Sequence, residues 1–154
     1  MEVGSSRKKI DYSKYEVNKF TPTIYGPKYY ESGCGKTAIS ALTGCNPNTL
    51  TNTNHSNSND YKDRWMIRQL KTKGFKVVPV KRLEVTNHFE IFENFITNRH
   101  ILLVSQIFNK KEASWSIVFN GSYLIHNFVI SRFDGLELFN RPSISIFLVW
   151  NKKW

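Results

Sequence analysis

Cysteine is scarce in this chain: Cys34 and Cys45 are its only two among 154 residues. Two cysteines cannot build the disulfide framework of a small secreted protein. Long apolar runs are missing too. The longest, Ile101–Val104 and Ile144–Trp150, are strand length, far short of the ~18 residues that mark a membrane span. Met1 to Ile10 carries charges but no apolar stretch, so no secretory signal is expected and the protein is expected in the cytoplasm. No zinc-finger spacing occurs, and neither a metal nor a cofactor is expected. What remains is ample for one core: 40% of the residues are hydrophobic, with 11 Phe, 7 Tyr and 4 Trp.

Acidic residues are also few. There are 12 against 22 Lys and Arg, a formal charge of +10. Such an excess raises nucleic acid as a partner, because cations that neutralise phosphates release counterions. The charges are dispersed, however, through Arg7 to Lys9, Lys81-Arg82, Lys110-Lys111 and Lys152-Lys153. Only Arg64, Arg68 and Lys71 form an ordered stripe, within about 60° on a helix. A solvated helix face explains that stripe as well as an anion-binding one does. Heavy Asn, Lys and Ile usage also fits an AT-rich genome, which raises Lys without a functional cause.

The order of elements reads as α+β. Residues 1–20 are polar and aperiodic, an expected N-terminal arm ahead of a domain spanning 21–154. Cys34 to Thr43 carries Ala38, Ile39, Ala41 and Leu42 at helical spacing, and Gly44 supplies a stop. Residues 46–59 read as a loop. A second helix is expected from an Asp60 N-cap through Lys73, with Met66, Ile67 and Leu70 inward. Residues 75–80 form a strand whose Pro79 argues for an edge. A third helix is expected over His88 to Thr97, followed by a strand from Ile101 to Phe108. Two further strands flank Asn120-Gly121, a strong hairpin signal. Ile144 to Trp150 closes the sheet.

Ser32-Gly-Cys-Gly-Lys-Thr37 looks like the end of a Walker A loop, but Tyr30 stands where its first glycine belongs and no buried strand precedes it. The same segment reads better around Cys34. That residue sits where a turn-rich stretch becomes a helix, beside the helix's unpaired N–H groups and positive dipole end, a setting that suits a nucleophilic sulfur. Its own N–H is a candidate oxyanion donor. Cys45 lies past the helix and is expected to be inert. About 15 Å of helix separates the two cysteines, which excludes a disulfide between them.

Tyr-Gly-Pro-Lys-Tyr-Tyr-Glu-Ser-Gly-Cys34-Gly-Lys-Thr-Ala-Ile-Ser-Ala-Leu-Thr-Gly44 resembles the nucleophile helix of papain-like cysteine peptidases. It is most similar to the bacteriocin-leader-processing branch and its phage relatives, whose pattern runs roughly Asp-Cys-Gly-x-x-Ala-x-x-x-Leu-x-Gly. The resemblance covers about residues 24–150. It implies a papain-like fold, with N-terminal helices packed on a C-terminal antiparallel sheet. A cysteine attacks, a histidine takes its proton and a third group orients the imidazole. The implied partner is a peptide substrate or a protein, and a phage source would place the chain in the host cytoplasm or the virion.

In that family a His opens the first hairpin strand and an Asp or Asn lies near the end of the second. A two-residue Asn120-Gly121 turn pairs Ser114 with Asn127 and Trp115 with His126. The family's His position then falls on Ser114 and its third position on Asn127. In that register His126 points to the opposite face with Trp115, whereas a three-residue turn or a bulge shifts the register by one and is expected to flip it toward Cys34. His100 is expected exposed at a strand end, with His88 at a helix start and His55 in a loop. The family's oxyanion-donating Gln, six residues before the cysteine, is replaced by Lys28. Three functions follow: an active cysteine peptidase with a relocated base, a degenerate papain-like module with a structural or host-interaction role, and a nucleic-acid-binding protein using Arg64, Arg68 and Lys71.

Overall fold

The computed structural model describes residues 12–50, 59–80, 99–107, 113–120, 123–132 and 144–154. Among the described residues, two α-helices and six strands stand beside short 3-10 segments: α1 (Cys34–Thr43), α2 (Asn59–Thr72), β1 (Lys76–Val80), β2 (Ile101–Ile107), β3 (Ala113–Phe119), β4 (Tyr123–His126), β5 (Val129–Arg132) and β6 (Ile144–Trp150). The described strands form one sheet in the order β1-β6-β2-β3-β4-β5, every neighbouring pair antiparallel. This is an α+β architecture. The third helix expected over 88–97 lies outside the described residues, as do residues 51–58.

Both faces of the sheet are apolar, because residues along each strand alternate sides. Leu103, Ile117, Phe147 and Val149 meet Ile39 and Leu42 of α1 and Met66 and Leu70 of α2. Leu102, Val104, Val118, Ile146 and Leu148 form a second buried cluster on the opposite face. The central strand β2 therefore reads as a continuous apolar run, as strands buried on both faces do. β1 is the outermost described strand on one side, which accommodates Pro79 where the sequence anticipated an edge.

Three expectations need correction. The supposed arm is part of the core at its end: Val17 and Phe20 are buried, and the Val17 N–H bonds the Arg99 carbonyl at 2.9 Å. Phe20 packs edge-on against Phe119 and Trp154, so apolar contact outweighs the polar composition around it. The expected 46–59 loop begins with a 3-10 turn over Pro47–Thr49, and both Pro47 and Leu50 are buried. The hairpin register also differs. Phe119 faces Tyr123 and Ile117 faces Ile125, so three residues, not two, connect β3 to β4. A fifth strand, β5, follows through a tight turn at Asn127 and Phe128, both with positive φ (52° and 67°).

Burial explains the hairpin register. Pairing Ile117 with Ile125 puts both side chains on the helix-bearing face, where they are 0% and 3% exposed. A two-residue turn would move Ile125 to the other face and leave Ile117 without it. Core packing overrides the local preference of Asn120-Gly121.

Candidate active site

Cys34 owes its position to glycine. The 3-10 segment Pro27–Ser32 runs into Gly33, whose φ of +96° turns the chain before the first helical residue. Cys34 opens α1, half-buried against the helix-side core. The first regular helical bond joins the Thr37 N–H to the Gly33 carbonyl at 3.1 Å, and the Thr37 hydroxyl donates to the Cys34 carbonyl at 3.1 Å. The far end is closed by Gly44, at φ +83°, whose N–H bonds the Ser40 carbonyl.

The cysteine sulfur meets the sheet at the start of β3. The Trp115 backbone N–H donates to Cys34 Sγ at 3.3 Å across 81 residues of sequence. The Trp115 ring is buried on the helix side, and a Cβ added at Gly35 would lie 3.6 Å from it. Helix α1 and strand β3 are thus locked together at the first helical turn. Helix N-termini and backbone N–H donors are groups that bind developing negative charge. Composition and spacing could not reveal this backbone donor, which is independent of side-chain identity.

Immediately before Trp115, Ser114 pairs with a histidine. Its Oγ lies 2.9 Å from His126 Nε2. The observed register makes this contact, because Ser114, Ser116, Val118, Leu124 and His126 share one face of the hairpin. The expected two-residue register is therefore corrected, and so is the expectation that the shifted one turns His126 toward Cys34: the Ser114–His126 pair shares its sheet face with Val118 and Leu124, opposite the face that packs Trp115, α1 and Cys34. Burial pushes the His126 imidazole below its ordinary value of 6.5, favouring the neutral ring. The Ser114 hydroxyl donates to Nε2 where that nitrogen is unprotonated and accepts from it where it carries the proton.

Asn127 does not stand opposite Ser114, as the two-residue hairpin had it. It occupies the β4–β5 turn with φ 52°, and its Oδ1 is buried without a hydrogen-bond partner among the described residues. Lys28 is exposed, and its ammonium lies 5.0 Å from the centroid of the Tyr29 ring, a cation–π contact. His100, expected exposed, is buried at 4% exposure at the start of β2. Neither Cys45 nor Cys34 is in a disulfide, and the Cys45 N–H bonds the Thr43 hydroxyl. Arg64, Arg68 and Lys71 lie on the exposed side of α2, opposite the buried Trp65, Met66 and Leu70.

Among the described residues no three His, Cys, Asp or Glu side chains are grouped to hold a metal ion. No described helix is long and apolar enough to cross a membrane. An open apolar groove of about 330 Å³ lies at the other end of the β3–β4 hairpin, lined in part by Phe20, Pro22, Ile24, Phe119 and Tyr123. Five residues of β3 separate it from Ser114, about 17 Å along the strand. Comparison with protein-family models, with curated proteins and with solved structures finds no match for the chain.

Proposed function

We propose that this chain is a papain-like domain related to the cysteine peptidases, with Cys34 as its acyl-accepting nucleophile. One observation carries the reading. The cysteine at the start of α1 docks its sulfur on the Trp115 N–H, one residue from the position where the family holds its base. The α+β architecture, with helices on an antiparallel sheet, and the sequence around Cys34 support it. The reaction is attack of sulfur on a peptide carbonyl: the C–N bond breaks, the amine leaves with the thiol's proton, and water hydrolyses the resulting thioester to a carboxylic acid and the restored thiol. A phage source and a virion or host-cytoplasm setting belong to the same proposal, on the resemblance and the AT-rich composition.

The test uses Cys45 as an internal control. Iodoacetamide at pH 7 is expected to label Cys34 at least about tenfold faster than Cys45, followed by mass spectrometry of the digested protein. A peptide thioester or aldehyde probe is expected to attach at Cys34 and to be lost in Cys34→Ser. Labelling of Cys34 no faster than Cys45 would overturn the nucleophile.

A second reading rests on Ser114 itself. A serine at the base position is what a degenerate domain, kept for binding to a protein partner, would carry. On that reading Cys34→Ala leaves the biological activity intact with the fold preserved. The two readings part on whether Cys34→Ala abolishes the activity with the fold preserved.

A further inference from the structure

We infer that the outer edge of β5 takes up an extended segment of an acidic protein partner as an added strand of the sheet. This surface is independent of Cys34 and its chemistry. β1 and β5 are the outermost described strands, and they are guarded unequally. β1 carries Lys76 and Pro79, residues that discourage pairing at an edge. β5 reads Val-Ile-Ser-Arg, with neither lysine nor proline, and all four of its residues are exposed. Val129 and Ile130 are 53% and 46% exposed. A bare apolar edge of this kind is a template for another strand.

The β4–β5 register decides which backbone groups face outward. His126 pairs with Val129 across the two-residue turn of Asn127 and Phe128, both at positive φ. Such a turn is closed by hydrogen bonds between its flanking residues, and the pattern alternates along the ladder. Val129 and Ser131 therefore turn their N–H and C=O groups toward β4, whereas Ile130 and Arg132 turn theirs outward. Those two residues offer an incoming strand two donors and two acceptors.

Side chains set the chemistry of that strand. Ile125 pairs with Ile130, so the Ile130 side chain stands on the helix-bearing face, where it lines the apolar groove with Phe20, Ile24, Phe119 and Tyr123. Arg132 shares that face two residues on and is exposed. A residue opposite Ile130 lies about 5 Å from it, and an apolar side chain there reaches the groove. Opposite Arg132 an acidic residue is favoured, because opposite charges across a pair attract and like charges repel. The chain's formal +10 acts in the same sense: it draws an acidic partner and repels a second copy. An antiparallel segment with the core Glu-Thr-Ile-Val sets its Glu against Arg132, its Ile against Ile130 and its Val against Val129.

The experiment adds a capped peptide with that core, at about 1 mM, to the full isotope-labelled chain and follows backbone amide exchange by NMR. Strand addition predicts at least about tenfold slower exchange at Ile130 and Arg132, with little change at Val129 and Ser131, which already bond to β4. A peptide N-methylated at its Glu and Ile keeps the side chains, loses the donors that face β5, and is expected to protect neither amide. Arg132→Glu, whose spectrum elsewhere reports the native fold, is expected to lose protection by this peptide and gain it from one with Lys in place of Glu. No protection by the Glu peptide, or equal protection by its N-methylated form, would overturn the added strand. Equal protection of the native chain by the Glu and Lys peptides would overturn the acidic partner. Protection of the same two amides without peptide, rising with protein concentration alongside a dimer in sedimentation, would overturn the proposal by assigning the edge to a second copy.

Discussion

His126 ties a single side chain to the stability of the hairpin that carries it. Its imidazole is held against the Ser114 hydroxyl, and burial pushes its titration below the unfolded value of 6.5. The unfolded chain therefore binds a proton at this residue more readily than the folded one. The stabilisation is complete above 6.5 and is lost as pH falls through the lower folded value. His126→Gln removes the titration while keeping a hydrogen-bonding side chain. Urea unfolding at pH 7.5 and 5.0 is expected to show a smaller difference in midpoint for the variant than for the native chain. An equal difference in both would mean that other groups carry the acid sensitivity. At this scale the sequence pointed to Cys34 and Ser114 but could not assign the partner of His126. That partner follows from a hairpin register decided by the burial of Ile117 and Ile125, and from the two-sided core behind them.

Helix α1 is framed by two glycines with the same backbone requirement and holds a third without it. Gly33 and Gly44 have φ of +96° and +83°, and L side chains rarely adopt such backbone conformations. Gly35, inside the first turn, has no such need. A Cβ there would meet Met66 Sδ at 3.4 Å and the Trp115 ring at 3.6 Å, ordinary contacts for a methyl group. Gly35→Ala is therefore expected to stabilise the protein by about 0.5–1 kcal/mol through helix propensity. Gly44→Ala has comparable room beside Thr23 Oγ1 at 3.5 Å, yet is expected to destabilise by about 1 kcal/mol because of its backbone. Thermal or urea unfolding of the two variants checks the contrast in sign, and destabilisation by both would show that the first turn is tighter than its contacts suggest. The helix and its Gly44 stop were legible because 3.6-residue periodicity and a terminal glycine are local signals. Strand β5 was not. Its turn places Asn127 and Phe128 at positive φ, and Phe128 gives no turn signal because its buried ring, 5.8 Å from that of Tyr25, is what holds it there.

The charge of the whole molecule is large in sum and thin in any one place. A formal +10 attracts polyanions whatever its arrangement, so binding alone says little about a built site. Arrangement matters only if the exposed Arg64, Arg68 and Lys71 of α2 act together. Replacing these three by alanine leaves the formal charge at +7, and so does replacing the exposed Lys14, Lys76 and Lys152 on three separate parts of the chain. Dispersed charge predicts the same loss for both triple variants in binding to a DNA duplex, with the same weakening on added salt. A three-phosphate face on α2 predicts that only the first variant flattens the plot of log K against log salt, by about 2.7 in slope. Equal behaviour is the expected result. The stripe shares its helix with Trp65, Met66 and Leu70, which are buried, so the 3.6-residue repeat that carries the core leaves a polar face outward without any selection for anions. Fluorescence anisotropy over a salt series distinguishes the outcomes, and a slope change confined to the α2 variant would make that helix an anion-binding surface.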